Sequence, residues 1–322
     1  MFDISLIRFI PKNTKIPFIN MRVFAIGLSL LAIIVSIFLY STKELNYGLD
    51  FKGGTVWEFD IGEQPTDAIT SDIREIGNSL GLGDVTLQTI SQKEHDHDAL
   101  RLAIGKQPAL EGDENDDRAQ QSALGKVKTA IMAKYPDTVQ RGVQSLGTKV
   151  SGELKKRGAI AVILALVMVL LYIWVRFEWQ FGLGAVAALA HDVTLTIGVF
   201  ALTGQEFNLS IVAAILTIVG YSLNDTVIVY DRIRENLRKF KKMPLAEVLN
   251  LSINDTLSRT IMTSFTTLLA LFALYFLGGP GLHGFSFAMI WGVFVGTYSS
   301  IFIASPILLL LGVNRGGLQK EG

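Results

Sequence analysis

Long apolar runs separated by polar links dominate the hydrophobic pattern of this chain. A helix that spans a bilayer needs about 20 mostly apolar residues, and six runs approach or exceed that length. They are 24–40, 159–175, 181–202, 209–230, about 260–277 and 285–313. The pattern predicts an α-helical polytopic membrane protein with six transmembrane helices. We expect tilt or a kink near the end of the last run, which contains Pro306.

The first run differs from a cleaved signal peptide in its length and in the residues that follow it. A signal peptide has an apolar region of about 7–15 residues and then a small-residue cleavage site. The run 24–40 is longer, and Thr42, Lys43 and Glu44 come after it. We therefore expect an uncleaved membrane anchor that follows a cytoplasmic N-terminal segment, 1–23.

Lysine and arginine are distributed unevenly among the links between the runs. Basic residues occur in the N-terminal segment, in the links between runs two and three and between runs four and five, and in the tail 314–322. The links 203–208 and 278–283 contain none. Because basic residues favour the cytoplasmic side, we expect both termini there. The long polar segment 41–157 is then expected on the opposite side, and 158–313 forms a five-helix transmembrane domain.

The composition excludes several classes of function. The formal net charge is zero and cysteine is absent, so the chain has neither thiol chemistry nor the basic footprint of a nucleic-acid binder. We find no nucleophile–base pattern, Walker loop or dinucleotide fingerprint, and we expect neither an enzyme nor a cofactor. Energy for any work must come from an ion gradient or a partner. The run His95–Asp98 is interpreted as a solvated loop rather than a metal site.

The polar segment 41–157 carries alternating strand and helix patterns. Strands are predicted at 55–61, 85–90, 99–104 and 138–143, and helices at about 67–80 and 119–134, the first capped by Thr66 or Asp67. The order β-α-β-β-α-β matches a split βαβ, ferredoxin-like α+β domain. Between runs four and five, the segment 232–258 is too polar to span, and its apolar spacing after Pro244 suggests a short helix at the membrane surface.

An aspartate inside the fourth run is the most informative candidate site residue. Asp225 lies six residues before Asp231, about 9 Å along a helix, which is too deep for its side chain to reach headgroups easily. An ionisable group at such depth costs about 2.5–3.5 kcal/mol and commonly serves an ion, a proton or a partner charge. The alternative is a fixed ion pair or a hydrogen bond to a neighbouring helix.

Three further polar residues in or next to the apolar runs have more than one interpretation. Arg259 either faces Asp225 as a fixed charge, or extends to the interface or pairs with Asp255 one turn earlier. Asp192 is either a second relay group or a helix–helix hydrogen-bonding group. His191 can relay protons near neutral pH, but a lone histidine is more often a structural donor. Gly292 and Gly296 have the spacing of a close helix contact.

Several motifs together make the chain resemble the SecD/SecF family of Sec translocon accessory proteins. They are 48–55 (GLDFKGGT), 176–179 (RFEW), 190–192 (AHD), 219–236 (VGYSLNDTVIVYDRIREN) and the pair Arg259-Thr260. The resemblance extends from the first span to the last. The stretch from Asn224 to Asn236 is its strongest part, whereas the glycine motif Gly53-Gly54-Thr55 alone would be weak.

The resemblance implies a function that the composition does not show. Such proteins are half of an RND-type transporter in the bacterial inner membrane and have one large periplasmic domain. They form a complex with SecD beside the SecYEG channel, with YajC and YidC as associates, and are thought to use the proton-motive force to help export preproteins. The resemblance also implies a proton pathway through Asp225 and Arg259, with supporting positions at Asp192, His191 and Asn224. It further implies a strand turn at Gly53, Gly54 and Thr55. A further aspartate is expected from SecD.

The resulting hypothesis has two competitors. In the hypothesis, protonation of Asp225 weakens its hold on Arg259, and the helices rearrange before the proton leaves on the inner side. An RND-type exporter of small molecules or lipids is one alternative, although a loop of modest size leaves little room for a drug-sized pocket. A non-motor scaffold of the translocon is the other. Sodium in place of protons stays open, because a buried carboxylate can serve either ion.

Overall fold

The computed structural model describes residues 14–82, 85–90, 97–108, 117–146 and 148–313. Its contacts divide the chain into two units. The helical unit comprises Met1–Asn46, Ala161–Gln205 and Ser210–Gly322, and the α+β unit comprises Tyr47–Ile160 and Glu206–Leu209.

The elements follow the predicted alternation of long helices and one block of strands. In chain order they are a 3-10 turn (Phe18–Met21), α1 (Arg22–Lys43), α2 (Leu49–Lys52), β1 (Gly54–Asp60), α3 (Asp67–Ser79), β2 (Val85–Ile90), β3 (Ala99–Ile104), α4 (Asp117–Lys134), β4 (Val139–Leu146), α5 (Thr148–Arg176), α6 (Trp179–Thr203), α7 (Leu209–Lys239), α8 (Leu245–Leu277), α9 (Pro280–Ser299), a π-turn (Ser300–Ala304) and α10 (Ser305–Leu311). Within the described residues, six helical segments are long and apolar enough to cross a membrane: α1 with its preceding turn, α5, α6, α7, α8, and α9 continued through α10. The predicted number of spans is therefore confirmed.

The link between the fourth and fifth runs is the main correction to the sequence prediction. A helix does begin directly after Pro244, but it is not a separate short helix, because α8 continues unbroken from Leu245 to Leu277. Its first turns bury Val248, Leu249 and Ile253 in the core of the helical unit. The polar side chains that suggested a break bond within the unit instead: Asn236 Nδ2 donates to Ser252 Oγ at 3.0 Å.

The residues before α1 are attached to this extension of α8. The backbone N–H of Ile16 and the N–H of Ile19 donate to the side-chain oxygens of Asn254 and Asn250, at 3.0 and 2.9 Å. The amide of Asn254 in turn donates to the Ile16 carbonyl at 2.9 Å. The start of the described chain is thus held in the helical unit by the side chains of two asparagines.

The last apolar run contains the irregularity that Pro306 led us to expect. The regular ladder of α9 ends at Ser299, a π-turn follows, and Pro306 lies in the first turn of α10. Proline lacks an N–H group and its ring crowds the preceding turn. A wider turn before it lets the chain continue as helix, and Ser305 Oγ donates to the carbonyl of Ser300 at 3.0 Å.

The α+β unit contains a four-stranded antiparallel sheet in the order β2-β3-β1-β4. The connectivity is β-α-β-β-α-β, the order expected from the sequence. Side chains of one sheet face pack with α3 and α4 around Trp57, Phe59 and Leu102, each fully buried. Thr66 caps α3 by accepting a hydrogen bond from the N–H of Ile69. Strand β4 runs to Leu146, further than predicted, because its pairing with β1 continues to Leu146, with one register shift between Glu58 and Phe59.

In the α+β unit, Gly53 lies between α2 and β1, and Gly54 is the first residue of β1. Gly53 and Gly54 have φ values of 71° and 119°, a region that side chains with a Cβ rarely adopt. Asp50 accepts a hydrogen bond of 2.8 Å from the N–H of Leu209, and the N–H of Gly48 donates to the carbonyl of Phe207 at 2.9 Å. The motif therefore orders the segment Glu206–Leu209 within this unit as well as starting the sheet.

Of the histidine–aspartate run, residues 95 and 96 lie outside the described residues. Asp98 is bonded to the side chain of Gln64, accepting from Nε2 at 2.7 Å and donating its N–H to Oε1 at 3.1 Å. This pair connects the start of β3 to the loop before α3.

Candidate functional site

Asp225 lies on α7 with its side chain buried among three helices. Only 6% of its surface is exposed. Thr260 on α8 donates to Oδ1 at 2.6 Å, and Ser300 in the π-turn donates to Oδ2. Arg259 acts on the carboxylate through space as a nearby positive charge. Burial of an ionised carboxylate is costly, and the two hydroxyl donors and the neighbouring charge offset part of that cost.

Arg259 and Thr260 are neighbours on α8, but they have different positions relative to Asp225. The alternative pairing of Arg259 with Asp255 is not found among the described contacts, where Asp255 Oδ2 accepts from Arg232 at 2.8 Å and from Asn236 at 3.2 Å. Arg259 is exposed on the surface of the described chain, whereas its neighbour Thr260 is buried. Consecutive helical residues point about 100° apart, so only one of the two can face α7. The direct contact to Asp225 is therefore made by a residue with no charge.

Asp192 is the second buried carboxylate of the helical unit. It lies on α6, is fully buried, and accepts at Oδ2 from Ser222 on α7 at 2.6 Å and from Ser299 on α9 at 2.8 Å. His191 Nδ1 is 2.9 Å from Oδ1. Hydroxyls from two other helices thus converge on Asp192, which is the helix–helix hydrogen-bonding arrangement considered from the sequence.

Among the described residues, one ring nitrogen of His191 is hydrogen-bonded and the other has no partner. Its ring lies against Tyr298, with centroids 6.1 Å apart. With an ionised Asp192, Nδ1 carries the proton and donates to the carboxylate. Nε2 is buried without a hydrogen-bond partner among the described residues.

Asn224, the remaining supporting residue, does not join this cluster in the described chain. Its side chain is exposed, while Asp225 next to it is buried. The same 100° rotation that directs Asp225 inward places Asn224 on the outer face of α7.

The hydroxyl groups that hold the two carboxylates were not predicted as site residues. Thr260, Ser300, Ser222 and Ser299 are all buried, and each donates to an aspartate on another helix. The signal in the sequence was the presence of hydroxyl residues inside apolar runs, where such groups commonly bond between helices. Which carboxylate each one reaches depends on how the helices are rotated.

Close approach of α9 to α7 brings these groups within reach of one another. A Cβ added at Gly292 would collide with the side chain of Ile218, and one added at Gly296 would crowd Ser222. Both glycines lie on the face of α9 that contacts α7. Small residues at such spacing let helix backbones approach closely, and here they set the separation at which hydroxyls of α9 and α7 both reach Asp192.

A second group of motif residues meets at the far end of α7. Arg176 Nη2 is 3.4 Å from Asp231 Oδ1, and Arg234 Nη1 donates to the carbonyl of Arg176 at 3.4 Å. Both guanidinium groups lie over the ring of Phe177, at 5.1 and 6.0 Å. These contacts connect the link between α5 and α6 to the polar extension of α7, so we assign this group a structural role.

The fold and the site define a class of protein: a multi-pass membrane protein whose ionisable residues are buried where its helices meet. Two family models match the chain. The model described as "Protein export membrane protein SecD/SecF, C-terminal" matches residues 126–314, and "SecD/SecF GG Motif" matches residues 41–58. The first covers more than half of the chain. The chain belongs to the SecD/SecF family of protein export membrane proteins.

Relatives named protein translocase subunit SecF match nearly the whole chain. One from Rhodobacter capsulatus is 44% identical over 319 residues, which cover 98% of this chain and 94% of the relative. One from Rickettsia typhi is 40% identical over 305 residues, covering 94% of each. These names, with the family match, support a role as an accessory subunit of the Sec translocon.

A solved structure shares the fold. The crystal structure of SecDF, a translocon-associated membrane protein from Thermus thermophilus, matches 94% of this chain with a TM-score of 0.80 and 31% identity. A second SecDF structure, in a super-membrane-facing form, matches with a TM-score of 0.67. This chain spans 39% of the length of the Thermus thermophilus SecDF chain.

Proposed function

We propose that this chain uses the proton-motive force to promote the export of preproteins, with Asp225 as the group that binds and releases the proton. The observation that carries the proposal is the setting of that carboxylate: it is buried in a helix that crosses the membrane, and hydroxyls from two other helices hold it. Buried carboxylates in such helices commonly belong to proton relays. Arg259 supplies the fixed positive charge nearby.

Binding of the proton to Asp225 changes the non-covalent contacts between the helices. An ionised Asp225 accepts hydrogen bonds from α8 and from the π-turn, and a neutral one loses its attraction to Arg259. Each change alters how α7 is held by its neighbours, so a cycle of binding and release can move one helix against the others. One charge that crosses 100 mV supplies about 2.3 kcal/mol, so we expect several protons for each stretch of preprotein moved.

Asp192 and His191 are proposed as a supporting pair. The carboxylate is held by α7 and α9 and shares one hydrogen bond with the histidine. Nε2 of His191 is buried and has no hydrogen-bond partner among the described residues. Sodium is the alternative coupling ion, because the oxygen atoms around Asp225 and Asp192 suit a hard cation equally well.

SecD is the proposed partner. The similar solved structure is named SecDF, and this chain covers 39% of the length of that chain. A separate SecD would supply the rest, including a further aspartate for the ion path. SecYEG, YajC, YidC and the preprotein are proposed as further contacts of the resulting complex, in the bacterial inner membrane.

The α+β unit is proposed to be a ferredoxin-like periplasmic domain. Its β-α-β-β-α-β connectivity and its antiparallel order β2-β3-β1-β4 fit that fold. The basic residues of the short links favour cytoplasmic termini, which would put the segment between α1 and α5 outside. We propose that this domain acts on the emerging preprotein.

The proposal is tested by export of a secretory protein into inverted vesicles that contain Asp225→Asn, with equal amounts of SecD and of this chain. We expect export to be low and to respond no longer to the proton gradient. Glu247→Gln is the matched control, since Glu247 is an exposed carboxylate in the first turn of α8, and it should retain the full response. If Asp225→Asn exported and responded like the wild type, the chain would be a scaffold without a motor role.

Replacing the proton gradient with a sodium gradient shows which of the two ions drives export. Export that follows the proton gradient at constant sodium supports the proposal as stated. Export that follows only sodium would replace the ion while keeping Asp225 in its role.

A further inference from the structure

Two adjacent serines bond to Asp192 and Asp225, the two buried carboxylates among the described residues of the helical unit. Ser299, the last residue of α9, donates to Asp192 at 2.8 Å, and Ser300, the first residue of the π-turn, donates to Asp225. The two aspartates belong to different helices, α6 and α7. Neighbouring residues of a helix point about 100° apart, so this short segment lies where it can contact both helices at once.

Each serine also has a second acceptor on its own helix. Ser300 Oγ is 3.1 Å from the carbonyl of Thr297, and Ser299 Oγ is 3.1 Å from the carbonyl of Gly296. A hydroxyl carries one donor hydrogen and two acceptor lone pairs. Ser300 can therefore give its hydrogen to Asp225 or to Thr297, and it can accept a hydrogen from Asp225 in the second case.

These options match the two protonation states of Asp225. When the carboxylate is ionised, the hydroxyl donates to it. When a proton adds to the carboxylate oxygen, the new O–H donates to Ser300 Oγ, and the hydrogen of Ser300 turns to the carbonyl of Thr297. One O–H bond forms at the aspartate and no other covalent bond changes. The number of hydrogen bonds at this contact is the same in both states.

The π-turn keeps Ser300 available for this exchange. The carbonyl of Ser300 accepts from the hydroxyl of Ser305 at 3.0 Å, so the backbone group beside the site has a partner despite the widened turn. Single π-turns inside helices occur frequently at functional sites. Ser300 is fully buried.

Charged and titratable groups reach this site from each neighbouring helix. Arg259 on α8 acts on Asp225 through space. On α6, Asp192 and His191 lie on the other side of Ser299. The two carboxylates, Asp225 and Asp192, are thus bonded by adjacent residues of one segment, so a change of charge at Asp225 occurs close to Asp192.

We propose that Ser300 is a positioning residue whose hydroxyl reverses its hydrogen-bond direction each time Asp225 gains or loses a proton. The inference rests on the proposed function, because it requires that Asp225 takes up a proton. In this proposal Ser300, at the start of the π-turn, stabilises both the ionised and the neutral form of the Asp225 carboxyl group. Neither form is then left with an unpaired buried polar atom.

The test is infrared difference spectroscopy of the SecD complex of this chain in lipid bilayers, recorded between high and low pH. The carbonyl band of protonated Asp225 is assigned by its loss in Asp225→Asn. In Ser300→Ala we expect that band to shift to higher wavenumber, because the neutral carboxyl has lost its acceptor. Ser300→Thr keeps a hydroxyl and should restore the wild-type position.

Ser299→Ala is the matched control, since it removes the neighbouring hydroxyl and should leave the Asp225 band in place. Should Ser300→Ala fail to fold, Ser300→Cys, with its weaker hydrogen-bonding thiol, is expected to give a smaller shift. A band that keeps its position in the serine, alanine and cysteine forms would overturn the inference. A spectrum in which Asp225→Asn removes no band would instead reject the proton role of Asp225, so the two failures are distinguishable.

Discussion

Thr260 on α8 donates a hydrogen bond of 2.6 Å to the carboxylate of Asp225 on α7, while the arginine beside it acts only through space. The contact is buried on both sides. An uncharged side chain thus makes the direct connection between the two helices, and it does so at the carboxylate proposed to carry the proton.

Thr260→Val should weaken both the fold and the coupling. Valine has nearly the shape of threonine but no donor, so a buried carboxylate loses one of its two hydroxyl partners, at a cost of about 1.5–3 kcal/mol for a hydrogen bond to a charged group. We expect a lower unfolding temperature in detergent and a reduced response of export to the gradient. Thr266→Val is the control, because Thr266 is exposed and bonds only to carbonyls of its own helix among its described contacts. Equal unfolding temperatures for the two variants would contradict the assigned role.

Gly292→Ala should destabilise the helical unit. The new methyl would collide with the β-branched side chain of Ile218, and overpacking of this kind costs about 1–3 kcal/mol. Gly220→Ala on α7 is the control, since a Cβ there meets nothing within 4 Å. Thermal unfolding of the two variants should separate them clearly, with Gly220→Ala close to the wild type; a Gly292→Ala protein as stable as Gly220→Ala would argue against the close contact of α9 and α7.

Gly54→Ala should disrupt the start of the sheet. Gly54 has a φ of 119°, and a Cβ at this position would collide with the backbone carbonyl of Ile104. Backbone strain of this type costs about 1–3 kcal/mol, and the carbonyl cannot move without disturbing the pairing of β1 with β3. We expect faster hydrogen exchange of the β1 and β3 amides in the whole chain. Gly125→Ala, in an open position on α4, should leave that exchange unchanged or slow it.

The stability of the α+β unit should fall in acid through Asp60. Burial alone raises the pKa of this carboxyl, but hydrogen bonds from Arg141 at 2.9 Å and from the N–H of Gly62 at 2.8 Å outweigh it and hold the pKa below its usual value. The folded-state pKa is thus lower than the unfolded one, about 3.9. The stabilisation is present above about pH 4 and is lost as the pH falls through the folded-state value.

Asp60→Asn should remove this acid-dependent contribution, which we expect to be about 1 kcal/mol because Arg141 is partly exposed. Hydrogen exchange of the β1 amides between pH 5 and pH 3, corrected for the intrinsic rate, measures it. Arg141→Gln should have a similar effect, and the double variant little more than either. Additive effects of the two substitutions would show that the pair is not coupled.

The sequence by itself determined the elements that depend on local pattern. Six apolar runs of spanning length predicted six helices, and a β-α-β-β-α-β pattern predicted the elements of the α+β unit, because the side-chain periods of 3.6 and 2 are visible in one dimension. Depth in an apolar run also singled out Asp225 and Asp192. Both are buried in the structure, since the cost of exposing a carboxylate to hydrocarbon acts wherever the helix lies.

Only the tertiary structure decided which side chains meet. The rotation of each helix about its axis selects one of two adjacent residues, and it brought Thr260 rather than Arg259 into hydrogen-bonding contact with Asp225. The continuity of α8 through its polar start depended on the packing of α7 against it, which no local pattern contained. The π-turn likewise arises where a proline must be accommodated inside a packed helix, and it places Ser300 on Asp225. The hydrogen bonds at the two carboxylates join residues up to 107 positions apart, and packing in three dimensions chooses them.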